Sequence, residues 1–333
     1  MHLEGSLSPQ LLFTLARRNQ IELPAVAEDA SFASPEALLD RYTHFTSLDD
    51  FLHYYFIGMS ALIHAQDFEE LAFEYFLRAK ADGVVHAEVF FDPQAHTGRG
   101  VSYETVRQGF TKACQRAQEQ LGISTELILC FLRHLPVQDA HHTLTEAKPD
   151  LLSGSLSGIG LDSSEKGNPP GVWRDIYAEA KTSGIKRTAH AGEEGPVEYI
   201  REAVNELDVE RIDHGIRLAE DDELMREIAG RHLLVTVCPL SNVRLQCVES
   251  VQQLPIRKFL DAGVDFSINS DDPAYFGGYI LDNYCAVQEA FELSKEDWRR
   301  IAKASVQGSW CDDRRKAAIS VQLEEVLEKY LRN

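Results

Sequence analysis

From Val84 onward the chain alternates seven short, strand-like and mostly apolar runs with longer runs of helical periodicity. The short runs are Val84–Phe91, Thr125–Phe131, Leu156–Leu161, Ile185–Arg187, Arg211–His214, Leu233–Pro239 and Val264–Asp272. Between them, apolar residues recur at three- and four-residue spacing over 103–120, 137–147, 172–181, 197–204, 222–229 and the segment ending at Gly263. Strands apolar along most of their length are covered on both faces, and their alternation with helices makes the sheet parallel. No G-x-G-x-x-G and no P-loop is present, so a doubly wound nucleotide-binding sheet lacks support. The expected fold is α/β: a (β/α)8 TIM-type barrel with extra helices, its first strand largely missing from this chain. All of residues 1–333 form one domain on this reading, a length that closed barrels commonly reach.

Before the repeats, Ser8 and Pro9 carry an N-cap and first-turn signal. Residues 24–47 read as loop with short helix, and Leu48 to Asp82 reads as two helices broken near Gln66 and Asp67. No signal-peptide pattern opens the chain and no apolar run approaches the ~18 residues of a membrane span. The expectation is a soluble intracellular protein, cytoplasmic or nuclear.

In a parallel barrel the chemistry sits at the carboxyl ends of the strands, so polar residues there carry the functional signal. His190 follows one strand, His214 the next, and Asp271-Asp272 the last; His2 would follow the missing first strand. After His190, Gly192 lets the chain turn, so that Glu193 could reach the same pocket. Taken singly, each has a plainer reading: a polar loop with a capping glutamate, an ordinary turn at Asp213-His214-Gly215, a helix start at Asp271-Asp272-Pro273. Adjacent carboxylates leaving a buried strand repel each other, however, and a cation offsets that repulsion. The six cysteines lie far apart without a C-x-x-C pair, so a metal here would rest on nitrogen and oxygen donors. Two or three imidazoles and a carboxylate suit Zn2+ with a position open to water, without excluding iron or manganese. His96 and His134 could border the pocket; the remaining histidines read as structural. The balance of 33 basic and 53 acidic residues, formally -20, argues against nucleic acid or an anionic membrane as partner.

At these residues the chain resembles the adenosine deaminase family, and within it the adenine deaminase branch. The matching pieces run in family order over nearly the whole chain: His2-Leu3-Glu4-Gly5-Ser6, Phe91-Asp92-Pro93-Gln94, His190 to Pro196, Arg211 to Gly215, Cys238 to Asn242, and Ser270 to Tyr279. The resemblance implies one zinc ion held by His2, His190 and Asp271. It also implies that His214 orients and helps deprotonate the attacking water, that Glu193 protonates purine N1 and that Asp272 hydrogen-bonds N7. Nucleoside-specific members usually carry Asp where Glu4 stands, and that Asp contacts the ribose; Glu4 is therefore expected on the substrate side. They also carry a glycine-containing loop where this chain reads Leu161-Asp162-Ser163-Ser164-Glu165. Larger side chains there point to a pocket closed around a free base, with adenosine and N6-substituted adenines as alternatives. The family motif His-x-His would place another histidine one residue before Met1. An impaired purine-binding protein is therefore the competing expectation for this exact chain, and a form longer by ~10–20 residues, enough for a strand and its lead-in, is expected to be competent.

Overall fold

The computed structural model describes residues 1–331. Seven strands form one parallel sheet in sequential order, each bonded to the next. They are β1 His86–Phe91, β2 Ser124–Leu132, β3 Gly158–Asp162, β4 Lys186–Ala191, β5 Arg211–His214, β6 Leu234–Val237 and β7 Phe266–Ile268. Helices between successive strands cover the outside; Tyr103–Arg116, Val137–Ser153 and Arg174–Thr182 are the first three. Residues 128–132 of β2 and all of β3 are buried, as strands sandwiched between helices and a barrel interior must be.

The N-terminal helices follow local signals. Ser8 accepts the Leu11 N–H at the head of Pro9–Asn19. The break within 48–82 falls at residues 60–64 rather than at Gln66-Asp67. The reason is Asp67, whose carboxylate reaches back to the His64 and Ile63 N–H groups and so opens a helix instead of interrupting one. Two strand limits also shift. β4 runs on to Ala191 because Thr188 to Ala191 pair in register with Arg211 to His214. β7 stops at Ile268 because the chain then turns inward, with Asp271 in the left-handed region at φ 57°.

The ring is open at one place. β1 and β7 are not paired along their length; Met1–Leu3 alone stands between their carboxyl ends. Phe90 donates its N–H to the Met1 carbonyl at 2.9 Å, Leu3 donates to the Phe90 carbonyl at 2.9 Å, and His2 donates to the Asp271 carbonyl at 3.1 Å. Thus the expected near-absence of a first strand is what the structure has: an isolated parallel bridge, His2 to Phe90. Toward the amino ends of the strands the seam widens into a cavity of about 440 Å³ beside Val85, His86 and Asn269. His86 lies at that end, away from the carboxyl rim. There Arg211 stacks over the Trp310 ring at 4.2 Å and pairs with Glu88, which also takes the Trp310 N–H.

Candidate active site

Six strand ends and the N-terminal residues meet at the carboxyl rim. Gly192, at φ 73°, makes the turn that the sequence requires, and both His190 and Glu193 face the cavity beyond it. An added Cβ at Gly192 would stand 2.5 Å from Ile200 Cδ1, so the turn also depends on close packing. His214 and Asp271 both occupy left-handed backbone, at φ 60° and 57°. Such conformations are uncommon without glycine and are held where surrounding structure over-determines them.

His2, His190 and Asp271 each bring one donor atom within 4.8 Å of the others, and all three are buried. The two imidazoles face each other Nε2 to Nε2 at 3.1 Å, and His2 Nε2 lies 3.7 Å from Asp271 Oδ1. His214 Nε2 is 3.8 Å from Asp271 Oδ2, and its Nδ1 stands 3.5 Å from Glu193 Oε1. Carboxylates lie behind the imidazoles: Asp213 Oδ2 is 3.5 Å from His190 Nδ1, and Asp162 Oδ2 is 3.4 Å from His2 Nδ1. Asp213 is itself fixed by the hydroxyls of Thr188 at 2.7 Å and Thr236 at 3.0 Å. Carboxylates in that position set tautomer and ring orientation in metal-bound histidines.

The protonation pattern fits a cation at the first trio. Burial, and then the neighbouring imidazoles, hold His190 well below its ordinary pKa. Burial likewise lowers His2, so both rings present lone pairs. Burial alone would push Asp271 up, but facing His214 and His2 it lies below the usual carboxylate range. Two other groupings share members with this one, His214-Cys238-Asp271 and His2-Asp92-Asp162. Burial, then Asp271, pushes the Cys238 thiol well up, and burial, then Asp92, does the same to Asp162. Among the described residues the first trio is therefore the one whose donors are all in ligating form. Three such donors are the number a catalytic zinc site uses, with water in the remaining position.

Glu193 and Asp272 have the opposite character. Burial first, then Asp271, raises both well above the carboxyl range, which keeps them protonated and able to donate. Glu193 Oε1 and Asp272 Oδ1 are buried without a hydrogen-bond partner, as are Asp92 Oδ1 and Asp162 Oδ1. Unpartnered polar atoms converging on one cavity mark the seat of a polar ligand. Gly5 makes room for one of them, since a Cβ there would lie 1.8 Å from Asp272 Oδ1. Gly5→Ala is expected to displace the Asp272 carboxyl and destabilise the fold by about 1–3 kcal/mol, as overpacking does. A lowered Tm together with a raised KM checks this; a variant matching wild type in both would contradict it.

Glu4, expected on the substrate side, does not line this cavity. The 3-10 turn Glu4–Ser6 carries its fully buried side chain behind β1. There it accepts the Asp92 N–H at 3.0 Å and faces His96 Nε2 at 3.2 Å. Burial pushes the Glu4 carboxyl up to about 7. His96 is thus part of a structural contact, and exposed His134 bonds Ser163 at 2.7 Å; neither faces the site. Sequence reasoning gave no role to Asp92, Asp162, Asp213 and Asn242, although they fall within the matching pieces or the Leu161 to Glu165 stretch, and it did not single out Tyr55. Tyr55 donates to Asp92 at 3.0 Å, and Asn242 lies 3.3 Å from His214 Nδ1. Asp92 and Asp162 stand at the carboxyl ends of β1 and β3, so the strand-end rule finds them once applied to every strand.

A parallel barrel carrying imidazole and carboxylate donors at its carboxyl rim is the architecture of the metal-dependent hydrolases. Within that class the comparisons are specific. The adenosine deaminase family profile matches residues 1–326. An adenine deaminase from Aspergillus fumigatus is 59% identical over 332 residues, covering 99% of this chain and 94% of the relative. One from Schizosaccharomyces pombe is 52% identical, covering 99% and 90%. The crystal structure of adenine deaminase from Arthrobacter aurescens superposes with a TM-score of 0.92 at 41% identity, covering 100% of this chain and 98% of that one. An amidohydrolase from Burkhoderia ambifaria, solved with bound Zn, gives a TM-score of 0.83 at 25% identity, covering 99% and 89%. This chain belongs to the adenosine deaminase family.

Proposed function

We propose that this protein catalyses the hydrolytic deamination of adenine to hypoxanthine and ammonia, with one Zn2+ per chain held by His2, His190 and Asp271. The observation that carries the reading is the 59% identity to an adenine deaminase over 99% of the chain. The rim supports it, because it pairs a ligating trio with two carboxyl groups kept neutral. A bound Zn2+ lowers the pKa of its water from about 15.7 to about 7 and so supplies the nucleophile at neutral pH.

The chain's own groups do the rest. Addition of water at C6 breaks the aromaticity of the ring, a step made feasible when N1 gains a proton as the C6–O bond forms. Glu193, neutral through burial, supplies that proton. His214, between Asp271 and Glu193, takes the proton that the water gives up. The amino group then takes that proton from His214, the C6–N bond breaks and ammonia leaves; the C6–OH proton returns to Glu193, and the carbonyl of the 6-oxopurine remains. A neutral Asp272 donates to N7, an acceptor in the 9H tautomer of adenine. Leu48, Phe51, Leu52 and Leu132 supply the apolar walls that a flat ring needs.

The likeness to adenine deaminases favours a free base, and this reading assigns the protein to purine salvage in the cytoplasm or nucleus. All six cysteines are unpaired, in keeping with a reducing compartment, and none of the described helices is long and apolar enough to cross a membrane. A panel of adenine, adenosine, AMP and N6-methyladenine, each followed by ammonia release, tests the assignment. Adenine is expected to lead adenosine in kcat/KM by at least about 10²-fold, the size of penalty expected when a close-fitting pocket meets a substrate it does not accommodate. Equal rates on the two would overturn the assignment.

A further inference from the structure

The loop that carries Glu193 is held from outside its own strand. Glu165, fully buried in the loop after β3, points one carboxylate oxygen at three consecutive backbone N–H groups. Its Oε2 accepts from Glu193 at 3.1 Å, Glu194 at 3.1 Å and Gly195 at 2.5 Å. Successive N–H groups turned toward one point form a nest for an anion. Here the anion is a side chain of the protein. Gly195 makes the approach possible, because a Cβ at that residue would stand 2.7 Å from the same oxygen.

The opposite oxygen of Glu165 faces Arg133, the buried residue just past β2, at 3.7 Å. Arg133 gives its backbone N–H to the Asp162 carbonyl at 3.1 Å and its guanidinium to the carbonyl of His190. One buried ion pair thereby joins the ends of β2, β3 and β4. It touches the main chain of His190 and of Glu193, but neither Glu165 nor Arg133 lines the cavity.

We infer that Glu165 and Arg133 are positioning residues that hold the acid-bearing loop, and with it the Glu193 carboxyl, in register with the His190 imidazole. Glu165 therefore serves alignment rather than filling space beside the substrate. This rests on the reading of Glu193 as the proton donor. Its energetic basis is simple: without the carboxylate, three N–H groups lose their acceptor, two of them in buried residues, and the loop relaxes to find others. A displacement of the acid by about 1 Å is enough to lower the rate by about 10²-fold.

The test uses Glu165→Ala and Glu165→Gln in the full chain. For Glu165→Ala, kcat is expected to fall at least about 10²-fold with KM within threefold and zinc content unchanged. Amide exchange at residues 193–195 should accelerate. Sodium formate, whose carboxylate fits the vacated nest, should slow that exchange again and recover about tenfold in kcat. Glu165→Gln keeps an acceptor oxygen and should lie between the two. Should Glu165→Ala fail to fold, Glu165→Gln carries the same exchange and kcat measurements.

Unchanged exchange at 193–195, or a loss confined to KM, would overturn the inference. The exchange measurement needs no turnover, so it stays informative even if adenine proves not to be the substrate. A wild-type protein inactive on adenine, with exchange behaving as expected, would instead count against the proposed reaction.

Discussion

His190→Ala should leave the protein folded, nearly free of zinc and without measurable turnover. His190 is one of the three donors of the trio: its Nε2 stands 3.1 Å from His2 Nε2, and its other nitrogen leans on Asp213 at 3.5 Å. Removing it leaves one imidazole and one carboxylate, two donors where catalytic zinc sites use three. The ring lies at the rim, so truncation opens a polar space rather than a core cavity. Zinc content is expected to fall from about one ion per chain to under a tenth of that, given how strongly three-donor sites outbind two-donor ones. Metal analysis and ammonia release on one preparation check both halves. Wild-type zinc occupancy in the variant would remove His190 from the ligand set.

Glu193→Gln should abolish turnover while the metal stays bound. The amide matches the carboxyl in shape and occupies the same loop, yet has no proton to give N1. Positioned general acid catalysis is worth about 10²–10⁴ in rate, and the loss should fall in that range and in kcat rather than KM. The pH dependence follows from the direction of the shift. Burial, then the charges of Asp271, Glu165 and Glu194, raises the Glu193 carboxyl, so it stays protonated above the usual carboxylate range. The wild-type rate is lost as pH rises through that raised value, when the acid becomes a carboxylate. The residual rate of Glu193→Gln lacks this limb. A variant keeping more than a tenth of the wild-type rate, or the same basic limb, would exclude Glu193 as the acid.

The fold was legible because its strands are sandwiched: burial on both faces forces mostly apolar runs, as in β2 and β3. Strand limits were less so. His190 lies inside β4 because a polar residue can point into the barrel, which a hydrophobic run does not announce. The trio could be traced through strand ends, and family resemblance supplied roles that spacing could not. The orientation of Glu4 was not legible, because a family position says nothing of which way a 3-10 turn sends this side chain. Glu165 and Arg133 had no local signature at all. A glutamate in a polar loop reads as solvated, and the three N–H groups it serves lie 28 to 30 residues farther on. Only the pairing of β3 with β4 brings them together.

The seam between β1 and β7 bears on what a metal ion would do at the rim. His2 hangs on one lip through Phe90, Asp271 belongs to the other lip, and His190 stands on the wall formed by β4. On the proposed ligand set, a cation gripped by all three would act as a clasp across that seam as well as readying water. Loading would then couple to the girth of the mouth.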